Sequence, residues 1–220
     1  GFNFSESDRL IRSALKEDSG KGDVTSRLLI PENSVSKAEL LVKEDGIIAG
    51  LEIFRSVFKI TDERTIVRFN KNDGQRVKKG EVIGKVTGNT RKLLLSERVA
   101  LNLLQRMSGI ATFTDIMTGK LGNKNIKIID TRKTTPNLRL FEKLAVKMGG
   151  GENHRFGLYD MILIKDNHIE ANGGISKTLD ILHKKKGLIN VKVEIEVKNI
   201  KELSEVISKG KNIIDRIMLD

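Results

Sequence analysis

The spacing of apolar residues divides the chain into two regimes. Residues 5–18 place Leu10, Ile11, Ala14 and Leu15 on one face, which predicts an amphipathic helix with Ser5 as N-cap. Gly20-Lys21-Gly22-Asp23 breaks it, and strand-like runs follow at 37–43, 64–69 and 81–87, interrupted by a short helix over 51–58. The run Asp73-Gly74-Gln75-Arg76-Val77-Lys78-Lys79-Gly80-Glu81-Val82-Ile83 alternates turn and strand, with glycine where tight turns need it. This first regime reads as an α+β domain with an antiparallel sheet. A helix from Thr90 to about Met107, carrying Leu93, Leu94, Val99, Leu101 and Leu104, closes it and bridges to the second.

After Ile126 the order becomes strand, helix, strand, helix. The pattern predicts strands at 126–130, 161–165, 191–197 and 213–219, with helices over 138–148, 175–185 and 199–209. Such alternation implies parallel strands joined by right-handed crossovers. In residues 191–197 the valines and Ile195 fall on one face and Lys192, Glu194 and Glu196 on the other. A doubly wound sheet, buried on both faces, favours unbroken apolar runs. A barrel with a polar interior near the C-terminal strand ends accounts for the charges better, with a half-wet edge strand and an open sheet as the alternatives. The predicted organisation is α/β: an N-terminal domain over 1–110, including the bridging helix, then a barrel-like α/β domain over 111–220.

Composition narrows the function. The 220 residues suffice for a full core, and no apolar run reaches the length of a membrane span. Cysteine is absent, which excludes disulfides and thiolate metal sites and suits a cytoplasmic location. The three histidines, at 154, 168 and 183, lack the paired spacing of a zinc site. A net charge of +11 raises nucleic acid as a ligand, but the lysines are dispersed and only 4% of residues are aromatic, leaving few stacking platforms. Attraction of a small anionic substrate is the better use of the excess.

The chemistry concentrates between Asp130 and Asn172. Thr131-Arg132-Lys133-Thr134-Thr135 and His154-Arg155 form two clusters, and Lys165-Asp166-Asn167-His168 closes an apolar run. Cations and hydroxyls gathered at strand ends are what a multiply anionic substrate requires, and they are costly to bury unpartnered. Gly149-Gly150-Gly151 reads either as a phosphate cradle or as a flexible turn before the site loop. His168 reads as a structural residue orienting the loop after its strand, and His183, beside lysines 184–186, as solvent-exposed.

These motifs carry a resemblance. Gly22-Asp23-Val24-Thr25, Ser96-Glu97-Arg98-Val99-Ala100-Leu101-Asn102, Ser108-Gly109-Ile110-Ala111-Thr112, Thr131-Arg132-Lys133-Thr134-Thr135-Pro136, Gly149-Gly150-Gly151-Glu152-Asn153-His154-Arg155, Leu163-Ile164-Lys165-Asp166-Asn167-His168, Val193-Glu194-Ile195-Glu196-Val197 and Leu219-Asp220 occur in order along nearly the whole chain. In this the chain resembles the quinolinate phosphoribosyltransferases. The resemblance implies a reaction of quinolinate with phosphoribosyl pyrophosphate and magnesium, yielding nicotinate mononucleotide, pyrophosphate and carbon dioxide for NAD synthesis. It also implies an N-terminal α+β sandwich domain followed by an incomplete α/β barrel, and a homodimer, or a ring of dimers, with shared active sites. Family chains continue past the aspartate corresponding to Asp220, so the barrel is expected to be truncated here and to lack the glycine-rich phosphate segment.

The resemblance further implies residue roles. Arg132, His154, Arg155 and Lys165 would line the quinolinate pocket, with Thr131 supporting it and Arg98 supplied by the partner subunit. Lys133 would lie near the pyrophosphate or phosphate. Glu194 and Asp220 are the candidates for ribose hydroxyl and magnesium contacts, direct or through water. Glu194 has a second reading as an ion-pair partner of Lys165 or Arg132, and Glu196 stands between site and scaffold. Three rival readings remain: a relative acting on another acid, a biotinyl or lipoyl carrier suggested by the hairpin rhythm over 73–86, and a nucleic-acid-binding protein. A carrier needs a lysine at an exposed hairpin tip, and a nucleic-acid binder needs steeply salt-dependent affinity.

Overall fold

The computed structural model describes residues 3–123 and 125–220. Chain contacts divide it into two compact units, Gly1–His154 and Arg155–Asp220.

In the first unit, helix α1 (Phe4–Ser19) starts earlier than the apolar pattern indicates. The side chain of Asn3, not Ser5, caps it by accepting the Glu6 N–H at 3.0 Å, leaving Ser5 inside the first turn. A short helix α2 (Val24–Leu29) follows, capped by Asp23. Its four-residue Asp-Val-Thr-Ser start is a capping signal that hydrophobic periodicity alone overlooks. Strands β1 (Val35–Leu41), β3 (Ile66–Phe69) and β5 (Val82–Asn89) form an antiparallel sheet in the order β1-β5-β3. Strands β2 (Gly46–Ile47) and β4 (Arg76–Val77) form a separate antiparallel pair. The hairpin rhythm of 73–86 is thus shared between two sheets.

Helix α3 (Leu51–Thr61) crosses from β2 to β3, and Asp73 secures its first turn by accepting the N–H groups of Gly50 and Leu51 at 2.7 and 2.9 Å. Helix α4 (Thr90–Lys120) runs a dozen residues beyond the expected end near Met107. Its buried stripe continues through Leu103, Leu104, Met107, Ala111 and Thr114, so packing carries the helix past Gly109 despite that residue's weak propensity. Helix α5 (Arg139–Met148) packs Phe141 and Ala145 into the same core as Ile11, Phe54, Val57, Phe58, Val86 and Leu104. Fully burying side chains of this size contributes about 1.5–3 kcal/mol each.

The strand expected at 126–130 shrinks to a single parallel bridge, Ile129 with Glu152. Its partner segment explains why: Gly150 has φ of +88°, outside extended geometry, so the pairing cannot propagate backwards.

The second unit holds a parallel sheet in the order β6 (Ile162–Ile164), β7 (Val193–Val197), β8 (Arg216–Leu219). The crossovers are helices α6 (Asp166–Ala171), α7 (Ile175–Lys184) and α8 (Ile200–Lys209). Of these, α6 falls where the sequence pattern indicates a loop. Val193, Ile195, Val197, Leu179 and Val206 form this unit's own core. The α+β arrangement of the first unit and the parallel α/β arrangement of the second are those the hydrophobic pattern predicts. Among the described residues no helix is long and apolar enough to cross a membrane.

Candidate active site

In the first unit the site grows from the Ile129–Glu152 bridge. Glu152 N–H donates to Ile128 O at 2.8 Å and Asp130 N–H to Glu152 O at 3.1 Å, a two-bond fragment of a parallel ladder. Two chain segments therefore leave the bridge in the same direction. One carries Thr131, Arg132 and Lys133, the other His154. Parallel pairing is what puts residues more than twenty positions apart at one edge, as at the carboxyl ends of parallel strands generally.

Asp130 ties the two segments together. Its Oδ1 accepts the His154 backbone N–H at 2.9 Å and the ammonium of Lys143. The first loop is held from below by α4 and α5. Arg139 donates from Nε to Thr134 Oγ1 at 3.0 Å and from Nη2 to Arg132 O at 3.2 Å. Glu142 accepts Thr135 N–H at 3.3 Å and the Arg106 guanidinium through Nε at 2.8 Å, and Arg106 also reaches Thr135 Oγ1. Thr131 spends its hydroxyl on a tight turn, accepting Lys133 N–H at 3.0 Å.

The loop is rigid, but its cations are not consumed by it. Arg132 keeps Nε buried without a hydrogen-bond acceptor. Lys133 is exposed, and its ammonium makes no ion pair among the described residues. A buried, unsatisfied donor costs about 1–3 kcal/mol, and an arriving anion would recover it.

The triple glycine has a packing explanation. A Cβ on Gly149 would stand 2.3 Å from Ala111 O of α4, and Gly150 occupies positive φ. Close approach of α5 to α4 and one left-handed turn account for both, with neither a flexible turn nor a phosphate cradle required.

In the second unit the polar residues collect at the carboxyl ends of the strands. Lys165 directly follows β6, and its Nζ lies 3.0 Å from Glu196 Oε2, an ion pair between neighbouring strands. Lys165 N–H donates to His168 Nδ1 at 3.0 Å, so His168 orients this turn, as expected, with its Nδ1 unprotonated. Asp166 accepts Asn167 N–H at 2.7 Å and pairs with Lys198 at 3.2 Å. Those two contacts, the backbone N–H first, hold its carboxyl below the usual range. Asp220 ends β8 exposed, its N–H on Val197 O at 3.1 Å.

Glu194 and Glu196 share a face of β7 but not an environment. The Glu194 side chain is 2% exposed, with Arg216 Nη1 3.1 Å from its Oε2, whereas Glu196 is 12% exposed and faces Lys165. Arg216 is thus a Glu194 partner that sequence spacing did not suggest. Arg155 donates to Met161 O at 3.3 Å, and Asp160 folds the intervening loop by accepting the Phe156 and Gly157 N–H groups. His183 is exposed and its ring contacts Lys209 O at 2.6 Å.

Asp130, Lys143, Arg106, Glu142 and Asp160 are the residues that sequence reading passed over. One local signal existed: Glu142 and Lys143 sit on the apolar side of an amphipathic helix, beside Phe141 and Ala145, where charges are buried only with partners.

Comparison with known proteins gives the chain's family. Family models for the N-terminal and C-terminal domains of quinolinate phosphoribosyl transferase match residues 23–108 and 110–220. The chain belongs to the quinolinate phosphoribosyl transferase family. It is 45% identical over 217 residues to "Quinolinate phosphoribosyltransferase [decarboxylating] 1b" of Nicotiana tabacum, covering 96% of this chain and 61% of that protein. A "Probable nicotinate-nucleotide pyrophosphorylase [carboxylating]" of Bacillus subtilis is 45% identical over 214 residues, covering 97% and 73%. Among solved structures, NadC from Streptococcus pyogenes superposes with a TM-score of 0.92 at 40% identity, over 100% of this chain and 76% of that one. The chain therefore spans about three fifths of the tobacco relative's length. Both family domains are represented in it, and the motifs that hold Arg132, His154 and Lys165 lie within the second.

Proposed function

We propose that the protein to which this chain belongs transfers the phosphoribosyl group of phosphoribosyl pyrophosphate to quinolinate with decarboxylation. The products are nicotinate mononucleotide, pyrophosphate and carbon dioxide, on the de novo route to NAD. One observation carries the reading: a family chain holds Arg132 and Lys133 on a rigid loop, beside the His154 segment, with a buried Arg132 donor awaiting an acceptor.

Quinolinate presents two adjacent carboxylates. The family resemblance assigns Arg132, His154, Arg155 and Lys165 to them, with Thr131 shaping the Arg132 loop. Arginine offers a planar fork for carboxylate, and lysine a compact charge suited to phosphate, which assigns Lys133 to the phosphoribosyl pyrophosphate. As the ribosyl–pyrophosphate bond weakens, positive charge develops at the anomeric carbon, and a nearby carboxylate stabilises it. Glu196, less enclosed than Glu194 though its Oε2 is buried, is assigned that role. Glu194, enclosed with Arg216, sets the charge of the strand behind it. Once the pyridine nitrogen carries the ribosyl group, its positive charge stabilises the electron pair left on the adjacent ring carbon as carbon dioxide leaves, and that carbon then takes a proton from water. The cations then need only hold the remaining carboxylate.

Magnesium fits this donor set as a substrate-borne ion. Among the described residues no group of three or more potential ligands forms a protein cage. Asp220 and Glu196 are the carboxylates able to meet a hydrated ion through water, with Glu194 the more enclosed. When bound, the ion neutralises charge on the leaving pyrophosphate.

A homodimer, or a ring of dimers, completes the proposal. Arg98 is exposed on α4, and its guanidinium makes no hydrogen bond or ion pair among the described residues. The same helix lines an apolar groove of about 580 Å³ with Leu101, Gly109, Phe113 and Ile116. A second subunit seated there would receive Arg98 in its site. Cytoplasmic operation belongs to the same proposal, with cell fractionation as its check.

The test is product formation by the full-length protein from quinolinate, phosphoribosyl pyrophosphate and magnesium. Nicotinate mononucleotide with stoichiometric carbon dioxide is expected. Turnover of another acid but not quinolinate would transfer the protein to a relative of different specificity. A folded, full-length protein inactive with every pyridine acid would refute the proposal.

A further inference from the structure

The Asp130–Lys143 pair is nearly shut off from solvent, the side chains being 6% and 2% exposed. Burying an ion pair costs more desolvation than an apolar pair of the same shape, so such a pair is a poor device for stability alone. Its other contacts suggest a different purpose. Asp130 Oδ1 receives both the Lys143 ammonium and the His154 N–H. With its amide oriented to donate, Asn153 gives 2.8 Å hydrogen bonds to Asp130 Oδ2 and to Lys143 O. Three donors thus converge on one carboxylate, two of them from the segment 153–154. Asp130 is also the residue from which the Thr131–Arg132 loop departs. Lys143 stands next to Glu142, which grips the far end of that loop at Thr135.

We propose that Lys143 and Asp130 are positioning residues: α5 uses their buried pair to set the His154 segment against the Arg132 loop, and so aims the cations at the dicarboxylate. The ligand's identity rests on the function proposed above, whereas the pair's positioning role does not. No neutral substitute can do the same. A carboxylate has two acceptor oxygens for three donors, while an amide has one oxygen and presents an NH₂ to the donors left over.

The double variant Asp130→Asn/Lys143→Met, in the full-length protein, separates positioning from stability. Removing both charges avoids a lone buried ion, so the variant is expected to fold with a melting temperature close to wild type. Its quinolinate Kd should weaken about tenfold or more, and the His154 imidazole resonances should shift or broaden in NMR spectra of the free protein. If the double variant does not fold, Asp130→Glu, which keeps the ion pair but displaces the carboxylate by one bond, is measured by the same criteria. A folded variant with quinolinate affinity within twofold of wild type, or with unmoved His154 resonances, overturns the proposal. Wild-type protein that does not bind quinolinate refutes the ligand assignment instead, and the His154 resonances then decide the role of the pair by themselves.

Discussion

Arg132 shows how much a single side chain's surroundings decide. Its cluster is conspicuous in sequence, yet the informative fact is that its carbonyl is tied to Arg139 while its Nε is left without an acceptor. The backbone is fixed and the charge is reserved. Hydrogen bonds to charged groups are worth about 1.5–3 kcal/mol, so Arg132→Ala should weaken quinolinate binding by roughly ten- to a hundredfold with little change in melting temperature. Isothermal titration alongside thermal unfolding checks both halves, and unchanged affinity would remove Arg132 from the pocket.

Asp73 gives a residue-scale prediction of another kind. Burial pushes its carboxyl above the ordinary value, and the N–H groups of Leu51 and Gly50 only partly offset that. For an acid whose folded pKa is raised, the folded state holds its proton more tightly than the unfolded one, so stability falls as pH rises from the ordinary value through the raised one. Asp73→Asn, which still offers an oxygen to both N–H groups, should lack this loss. Urea denaturation of both proteins across the carboxylate range should therefore show wild type losing ground to the variant as pH rises. Parallel curves would contradict the assignment.

At the scale of elements, hydrophobic periodicity located α3, α5, α7, α8 and the strands β1, β3, β5, β6, β7 and β8, because each shows its core a regular stripe, while the two-residue β2 is too short to carry one. It failed where an element is defined by something else. The 126–130 segment has a strand's composition but a partner that turns away at Gly150, and α6 is a turn built by the Lys165–His168 contact. Likewise α4 outruns its expected end because its contacts with α3 and α5 continue. The α4–α5 contact yields the element-scale prediction. Gly149→Ala forces a Cβ against Ala111 O, and overpacking of this kind costs about 1–3 kcal/mol. Because Gly149 leads directly into 150–154, the variant should lose quinolinate affinity as well as stability. A melting temperature equal to wild type would show that the helices have room to part.

At the scale of the molecule, the open question is what covers the long face of α4. Phe113 is 65% exposed and Ile116 47%, an apolar surface on the helix that also carries Arg98. Phe113→Glu should convert a dimer to monomers in sedimentation velocity. Activity should fall in step, since Arg98 would no longer reach a partner's site. A wild-type monomer that turns over at full rate would exclude the shared site.

The chain's order of apolar and polar residues by itself determined the two fold classes, because a period of two or of 3.6 needs only local geometry to express itself. It also singled out Thr131 to Lys133, His154 and Lys165 to His168 as candidates, because these stretches are locally too polar to be core. Tertiary structure alone decided which of these groups meet. Asp130 and Lys143 are thirteen positions apart, and Arg106 and Glu142 thirty-six; no local pattern reports such a contact. It also decided that Glu194 is enclosed with Arg216 while Glu196, two residues on along the same face, is left facing Lys165. Burial and pairing are properties of the assembled neighbourhood, and a charged residue's role follows from which partners have already claimed it.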